Sequence, residues 1–266
     1  MGRLEKALYR LKAQDANSAR RAAVPRSASS AAAFDMLAAK AQSVTLKRDH
    51  LRKHRILTED SDPAVHTAYK MLRTRITQRM RANKWQSLAV TSAAPADGKS
   101  LTAINLALSI ASDVNHTVVL VDLDMRHSTI ARYLGLPVDV GISDVIGRGH
   151  SLESALVRTE LERLLILPNV HVETDSSELI SSPEMAQLGR RLVRDDPARI
   201  VIYDLPPVLS ADDMIAFNPY VDAVLFVLSE RLTERADVLR ARELLDECNL
   251  IGTVLNRSDQ KTAAYY

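Results

Sequence analysis

Only one cysteine, Cys248, occurs in the 266 residues. A single thiol excludes a disulfide within the chain and a zinc site built on cysteines, and it suits a reducing cytoplasm. It lies in the helical-looking stretch RARELLDECNL, where it is expected to pack as a small apolar group. Long apolar runs are missing too. The longest, TVVLV and AVLFVL, fall far short of the ~18 residues of a spanning helix, and the N-terminus MGRLEKALYRLKAQ is charged from its third residue. Neither a membrane span nor a secretion signal is expected. Aromatic residues make up only 4% of the chain, yet it finishes on Tyr265 and Tyr266 after the polar, alanine-rich run SDQKTAA. Chain ends fray and tyrosine mostly serves cores and interfaces, so the pair is either incidental or a group meant to be reached by something else.

The hydrophobic share, 46%, is ordinary for a chain with a proper core, and the net charge is +2. That small value hides an asymmetry. Residues 1–85 hold 19 Lys+Arg against 7 Asp+Glu, or +12, which leaves −10 for the remainder. A basic front segment could meet phosphates or an acidic protein surface, but no aromatics interleave with its charges as in single-strand binders, so no nucleic-acid partner is expected.

Leu4, Leu8 and Leu11 share a helical face, so residues 1–12 read as a short amphipathic peg. From about residue 13 to 45 the chain is poor in large apolar residues and rich in Ala, Ser and Arg, which reads as a linker. The expected division is a basic helix and flexible linker over 1–55, a compact domain over 56–260 and a tail over 261–266. The stretch DPAVHTAYKMLRTRITQRM sets Val65, Tyr69, Leu72 and Ile76 on one helical face. After it, the β-branched runs SLAVTS, TVVLVD, LLILPN, RIVIYDLP, DAVLFVLS and IGTVLN alternate with helix-length segments. Apolar strands alternating with helices predict a doubly wound, mostly parallel α/β sheet. Ser182 before Pro183 and Glu184 reads as one helix cap, and Thr233 as another.

The run SLAVTS passes into AAPADGKS and then LTAINLALSIA, the strand, loop and helix that a phosphate-binding loop requires, with Gly98, Lys99 and Ser100 as its core. Backbone N–H groups would face the phosphates, Lys99 would reach the β and γ oxygens, and the Ser100 hydroxyl would ligate Mg²⁺. Ala93 replaces the first glycine of the usual pattern, so a chance Gly-Lys-Ser in a helix cap is the competing reading. Asp122, Asp124 and Asp204 favour the phosphate site, because all three follow wholly apolar strands where such strands leave a sheet. Carboxylates there can hold a metal and orient the attacking group.

The stretches AAPADGKS, VVLVDLDMR and IVIYDLPP resemble, in order and spacing, the Walker A, A′ and B motifs of the bacterial tyrosine kinases of exopolysaccharide and capsule synthesis. The resemblance spans roughly residues 56 to 266 and extends to SSELISSP and GTVLN, while the opening RLEKAL is similar to the polysaccharide-associated autokinases of exosortase-type gene clusters. It implies a P-loop fold of the partitioning-ATPase-like (SIMIBI) type, ATP and Mg²⁺ as cofactors, and autophosphorylation on a C-terminal tyrosine cluster. It also implies self-association, and recruitment to the inner face of the membrane by a chain-length determinant (co-polymerase) protein. Carried over, the nucleotide site is Ala94, Pro95, Ala96, Asp97, Gly98, Lys99, Ser100 and Leu101, with Asn256 at the adenine. Ser100, Asp122 and Asp204 are the implied metal residues, Asp122 with Asp124 beside it the implied base, and Tyr265 and Tyr266 the implied phosphoacceptors.

The chain departs from that pattern in places. Ala96 stands where a glycine is usual and enters positive φ less cheaply, which would slow turnover. The subunit-contact triplet of a glutamate and two arginines appears as Thr67, Lys70 and Arg73, and lysine lacks arginine's fork. His127 reads as a surface residue, and His50 with His54 as an improbable metal pair. Two rivals remain: a partitioning-type ATPase, disfavoured because Ala94 replaces that group's extra lysine, and a nucleotide-binding adaptor with decayed kinase activity.

Overall fold

A computed structural model of the chain describes residues 34–194 and 196–258. The peg over 1–12 and the tail with Tyr265 and Tyr266 lie outside the described residues. Eight strands form one sheet in the order β1-β4-β5-β3-β6-β2-β7-β8. In chain order they are β1 Gln42–Ser43, β2 Ser87–Ser92, β3 Thr117–Asp122, β4 Val157–Arg158, β5 Leu164–Leu167, β6 Arg199–Asp204, β7 Ala223–Ser229 and β8 Leu250–Asn256. All pairings are parallel except β4 with β5. The six apolar runs read from sequence are β2, β3, β5, β6, β7 and β8, and the doubly wound, mostly parallel sheet is the architecture expected. The two-residue strands β1 and β4 have too few residues for any periodicity to show.

Every residue of β2, β3 and β6 is buried, because helices cover both sheet faces. One core contains Val119, Val121, Leu165, Val201 and Phe217; the other contains Ile104, Leu120, Ile202 and Leu225. The Pro63–Asn83 helix starts at Asp62, whose side chain accepts from Ala64 N, and buries Ile76 and Met80. Val65, expected on the same face, is 43% exposed. Ser182 accepts from Met185 N and opens the Pro183–Val193 helix, as its sequence signature says. Cys248 packs half-buried against the first core. No helix among the described residues is long and apolar enough to cross a membrane.

The flexible linker does not extend to residue 55. Phe34 is 1% exposed, Leu46, Leu51 and Ile56 are buried, and β1 adds itself to the sheet beside β4. The Arg48–Lys53 helix docks through His50 Nε2, 2.8 Å from the Arg132 carbonyl, and through His54, stacked on Tyr133. Sparse but well-placed apolar residues are enough when the surface they cover is preformed, which average composition cannot show.

Candidate active site

The strand β2 ends at Ser92 and the helix Lys99–Ala111 begins seven residues later, so the loop between them sits at the carboxyl edge of the sheet. Gly98 precedes the helix at φ 97°. A Cβ there would strike the Asn256 side chain, which donates from Nδ2 to the Asp97 carbonyl at 2.9 Å. Asn256, at the end of β8, therefore meets the loop itself. Ala96 adopts φ 68°, the left-handed conformation that its missing glycine would have entered freely. Its carbonyl accepts from Arg257 Nη2.

Asp97 is the internal brace of this loop. Fully buried, it accepts from Ala94 N through Oδ2 and from the Thr233 hydroxyl through Oδ1, at 3.0 and 2.7 Å. Thr233 thus does not cap a helix. The next helix runs Arg235–Leu244 from a boundary at Glu234, and the threonine hydroxyl ties the β7 exit to the loop. Nothing local in the sequence signals this, since the partners are 136 residues apart. Pro95 and Ala96 are exposed, Leu101 is half-buried, and a basin of about 600 Å³ lined by Arg55, Arg231, Leu232, Arg257 and Ser258 opens nearby.

Lys99, Ser100, Asp122, Asp124 and Asp204 come together as the sequence proposed. Lys99 Nζ lies 2.6 Å from Asp124 Oδ2, 3.5 Å from Asp204 Oδ1 and 3.1 Å from the Ser100 hydroxyl. Burial pulls the ammonium's pKa down, but the charges of Asp204 and Asp124 outweigh it and hold the group above its ordinary value. Asp124 Oδ1 accepts from His127 N, so Asp124 is an anchor for Lys99 and for the turn after β3. Asp122 Oδ2 accepts from Thr129 N and Ile130 N, where the Ile130–Leu134 helix begins, while Oδ1 has no hydrogen bond. Burial, reinforced by the charge of Asp204, raises the Asp122 carboxyl well above the usual range. Burial likewise pushes Asp204 up to about 6, against the opposing charge of Lys99, and neither of its oxygens completes a hydrogen bond.

Three buried carboxylates around one ammonium, with orphaned oxygens on Asp122 and Asp204, are a donor set short of positive charge. A hard divalent cation with oxygen ligands fits it. Among the described residues no cluster of three or more His, Cys, Asp or Glu forms a cage by itself. Mg²⁺ is commonly held that way, by one or two carboxylates with substrate phosphates completing the shell.

Of the triplet Thr67, Lys70 and Arg73, the first two are exposed and only Arg73 is turned partly inward. Thr67 donates to the Pro63 carbonyl of its own helix, and Arg73 Nη1 donates to the Ser109 carbonyl and the Ser112 hydroxyl. Arg126, the last residue of the VVLVDLDMR stretch, was given no role of its own from sequence; it donates from Nε to the Ser176 hydroxyl at 3.0 Å, beside the buried Asp213. Its position two residues after Asp124 was the available signal.

No model of a protein family matches the chain. Tyrosine-protein kinase YwqD of Bacillus subtilis is 30% identical over 190 residues, covering 71% of this chain and 79% of YwqD. The succinoglycan biosynthesis transport protein ExoP of Rhizobium meliloti is 27% identical over 197 residues, 71% of this chain but 24% of ExoP. Among solved structures, the chimerical protein CapA2B2 superposes with a TM-score of 0.70 at 29% identity, covering 82% of this chain and 94% of that one. With 30% identity across most of YwqD, and with the loop, the lysine and the three carboxylates assembled at one sheet edge, this chain belongs to the bacterial tyrosine-protein kinase family.

Proposed function

We propose that the protein is an ATP- and Mg²⁺-dependent tyrosine autokinase that regulates exopolysaccharide or capsule synthesis, and that its phosphoacceptors are Tyr265 and Tyr266. The observation that carries this reading is the set of orphaned buried oxygens on Asp122 and Asp204 beside Lys99. A buried carboxylate without a partner is costly, and a bound cation and phosphate resolve that cost.

Residues 94–101 cradle the phosphates with backbone N–H groups, and the Asp97 brace keeps the loop in shape. Lys99, held by Asp124, neutralises charge on the transferring group, and Asn256 keeps the β8 end of the site against the loop. Ser100, Asp122 and Asp204 are the residues that would hold Mg²⁺, which offsets negative charge on the phosphate oxygens when bound. The free Oδ1 of Asp122 takes the phenol proton. An ordinary phenol has a pKa of about 10 and needs a base, and a carboxylate with a raised pKa is a stronger one.

Two of the tyrosines within the described residues, Tyr203 and Tyr69, are poorer acceptors. Tyr203 is 1% exposed, and burial raises its phenol well above the ordinary value; burial raises Tyr69 as well. The ExoP likeness supports a polysaccharide role; the partner in this reading is a membrane co-polymerase, with residues 1–33 as the recruiting segment at the inner membrane face. The compact unit then includes the described residues 34–258. Self-association would bring one chain's tail to another's site.

Incubation of the full chain with γ-labelled ATP tests the reading. Label is expected on tyrosine, lost by orders of magnitude in Lys99→Met and mostly lost in Tyr265→Phe with Tyr266→Phe. Wild-type labelling in Lys99→Met, or undiminished phosphate on Tyr9, Tyr69, Tyr133, Tyr203 or Tyr220, would overturn it. Free phosphate without labelled tyrosine would point to the ATPase alternative.

A further inference from the structure

The helix that begins at Lys99 grips the N-terminal segment through one amide. Asn105, buried on the Lys99–Ala111 helix, donates from Nδ2 to the Arg55 carbonyl at 3.2 Å and accepts from Leu57 N through Oδ1 at 2.9 Å. Between the two gripped residues Ile56 is 1% exposed, and its N donates to the Leu51 carbonyl. The grip sets Arg55 at φ 58°, a left-handed backbone that glycine or asparagine would take more cheaply. What arginine adds at this position is therefore its side chain, and that side chain lines the basin of about 600 Å³ together with Arg231, Leu232, Arg257 and Ser258. Arg257 joins the basin to the phosphate loop, because its Nη2 donates to the Ala96 carbonyl at 2.9 Å. Three guanidiniums and one isobutyl group thus line a basin in contact with the loop, and among the described residues no carboxylate lines it. Guanidinium planes stack on aromatic faces and donate hydrogen bonds without accepting them, so these walls suit a flat π surface that carries acceptors.

We propose that Arg55 is a nucleotide-binding residue: its guanidinium stacks on the purine of the ATP whose phosphates the loop holds, so the docked segment 34–57 completes the site and is itself held down by nucleotide. The proposal rests on the ATP site of the reading above. The nucleotide residues that the family resemblance implies, 94–101 and 256, include none from this segment. With the phosphates in the loop, the nucleoside half of ATP lies at the loop's flank, and the basin is the space on the flank that Arg257 and Ala96 share. Leu232 supplies apolar surface for the purine, and the guanidiniums supply planes to stack on and donors for its ring nitrogens. Asn105 is the positioning residue, since it fixes the backbone on both sides of Ile56 and so fixes where the Arg55 side chain starts. Nucleotide binding and segment docking share the Arg55 contact, so each strengthens the other by the same factor.

The test is calorimetry on the full chain with ATP and, separately, with tripolyphosphate, each with Mg²⁺. Arg55→Ala is expected to weaken ATP about tenfold and to leave tripolyphosphate affinity and the nucleotide-free Tm unchanged, because a stacked base is lost and no phosphate contact is. Arg55→Lys is expected to recover little, since an ammonium has no plane to stack. Asn105→Ala is expected to lower Tm and to weaken ATP, but to add no further loss of affinity in an Arg55→Ala background. Hydrogen exchange supplies the reciprocal measurement: ATP is expected to slow exchange of the amides of residues 48–57 in the wild-type chain and not in Arg55→Ala. Unchanged ATP affinity in Arg55→Ala would overturn the inference, and so would an equal loss for tripolyphosphate, which would make Arg55 a contact for phosphate instead of the nucleoside. Wild-type protein that binds neither ligand would overturn the ATP site underneath it.

Discussion

The ammonium of Lys99 sits 2.6 Å from Asp124 Oδ2, both side chains almost completely buried. The pair places the lysine at the floor of the phosphate loop and leaves Asp204, at 3.5 Å, only partly compensated. Without nucleotide the fold carries this imbalance at a cost. The same imbalance is what draws a phosphate and a cation into the site.

That cost can be read from pH. Asp204 titrates at about 6 in the folded chain and near 3.8 when unfolded. A carboxyl with a raised folded pKa favours the folded state fully below the unfolded value, and that contribution is lost as pH rises through the folded one. Asp204→Asn is therefore expected to raise the Tm of the nucleotide-free protein above pH 6, with the gain shrinking between pH 6 and pH 4. Thermal melts of both proteins from pH 4 to 8 check this. Equal Tm at pH 8, or a gain that grows on acidification, would refute it.

Ala96 stores strain at φ 68°. Left-handed backbone costs a non-glycine residue roughly 1 kcal/mol, partly offset in a glycine variant by its greater unfolded entropy. Ala96→Gly is expected to leave stability unchanged or raise it by up to about 1 kcal/mol, measured by denaturant unfolding. A clear loss of stability would show that the alanine methyl contributes more by packing than its backbone costs.

The Thr233 hydroxyl joins two distant parts of the site, accepting from Ser229 N at 2.8 Å and donating to Asp97 at 2.7 Å. Thr233→Val keeps the shape and leaves a buried carboxylate oxygen unpaired, a loss of about 1.5 kcal/mol or more. ATP affinity by calorimetry is expected to fall about tenfold as the loop loosens. Unchanged affinity would mean that the Ala94 N contact to Asp97 is a sufficient brace.

The N-terminal boundary is tested by truncation. Removing residues 1–33 is expected to leave Tm unchanged. Removing 1–55 takes away Phe34, Leu46, Leu51 and β1, and it removes Arg55 from the basin beside the loop, so both Tm and ATP affinity are expected to fall. Phe34→Ala alone is expected to cost about 3 kcal/mol, as large-to-small changes in a core do. If Tm is unchanged after removal of 1–55, the compact unit begins where composition placed it, near residue 56.

Local order was legible wherever the reason for it is local. Apolar runs long enough for both faces of a strand to be buried marked β2, β3, β5, β6, β7 and β8. Ser182-Pro183 marked a helix start, and Gly98-Lys99-Ser100 after a strand marked the phosphate loop, because backbone geometry and periodicity are written in neighbouring residues. The carboxylates Asp122, Asp124 and Asp204 could be named because parallel strands carry their ends to one edge. What each carboxylate does depends on its partners in space. Only the tertiary structure shows that Asp124 holds Lys99, that Asp122 spends one oxygen on a helix start, and that Thr233 braces Asp97 instead of capping a helix. The docking of residues 34–55 and the hydrogen bond from Arg126 to Ser176 were decided there as well. Those contacts join residues far apart in the chain, and no periodicity or spacing in a single sequence records which distant groups a folded sheet will bring together.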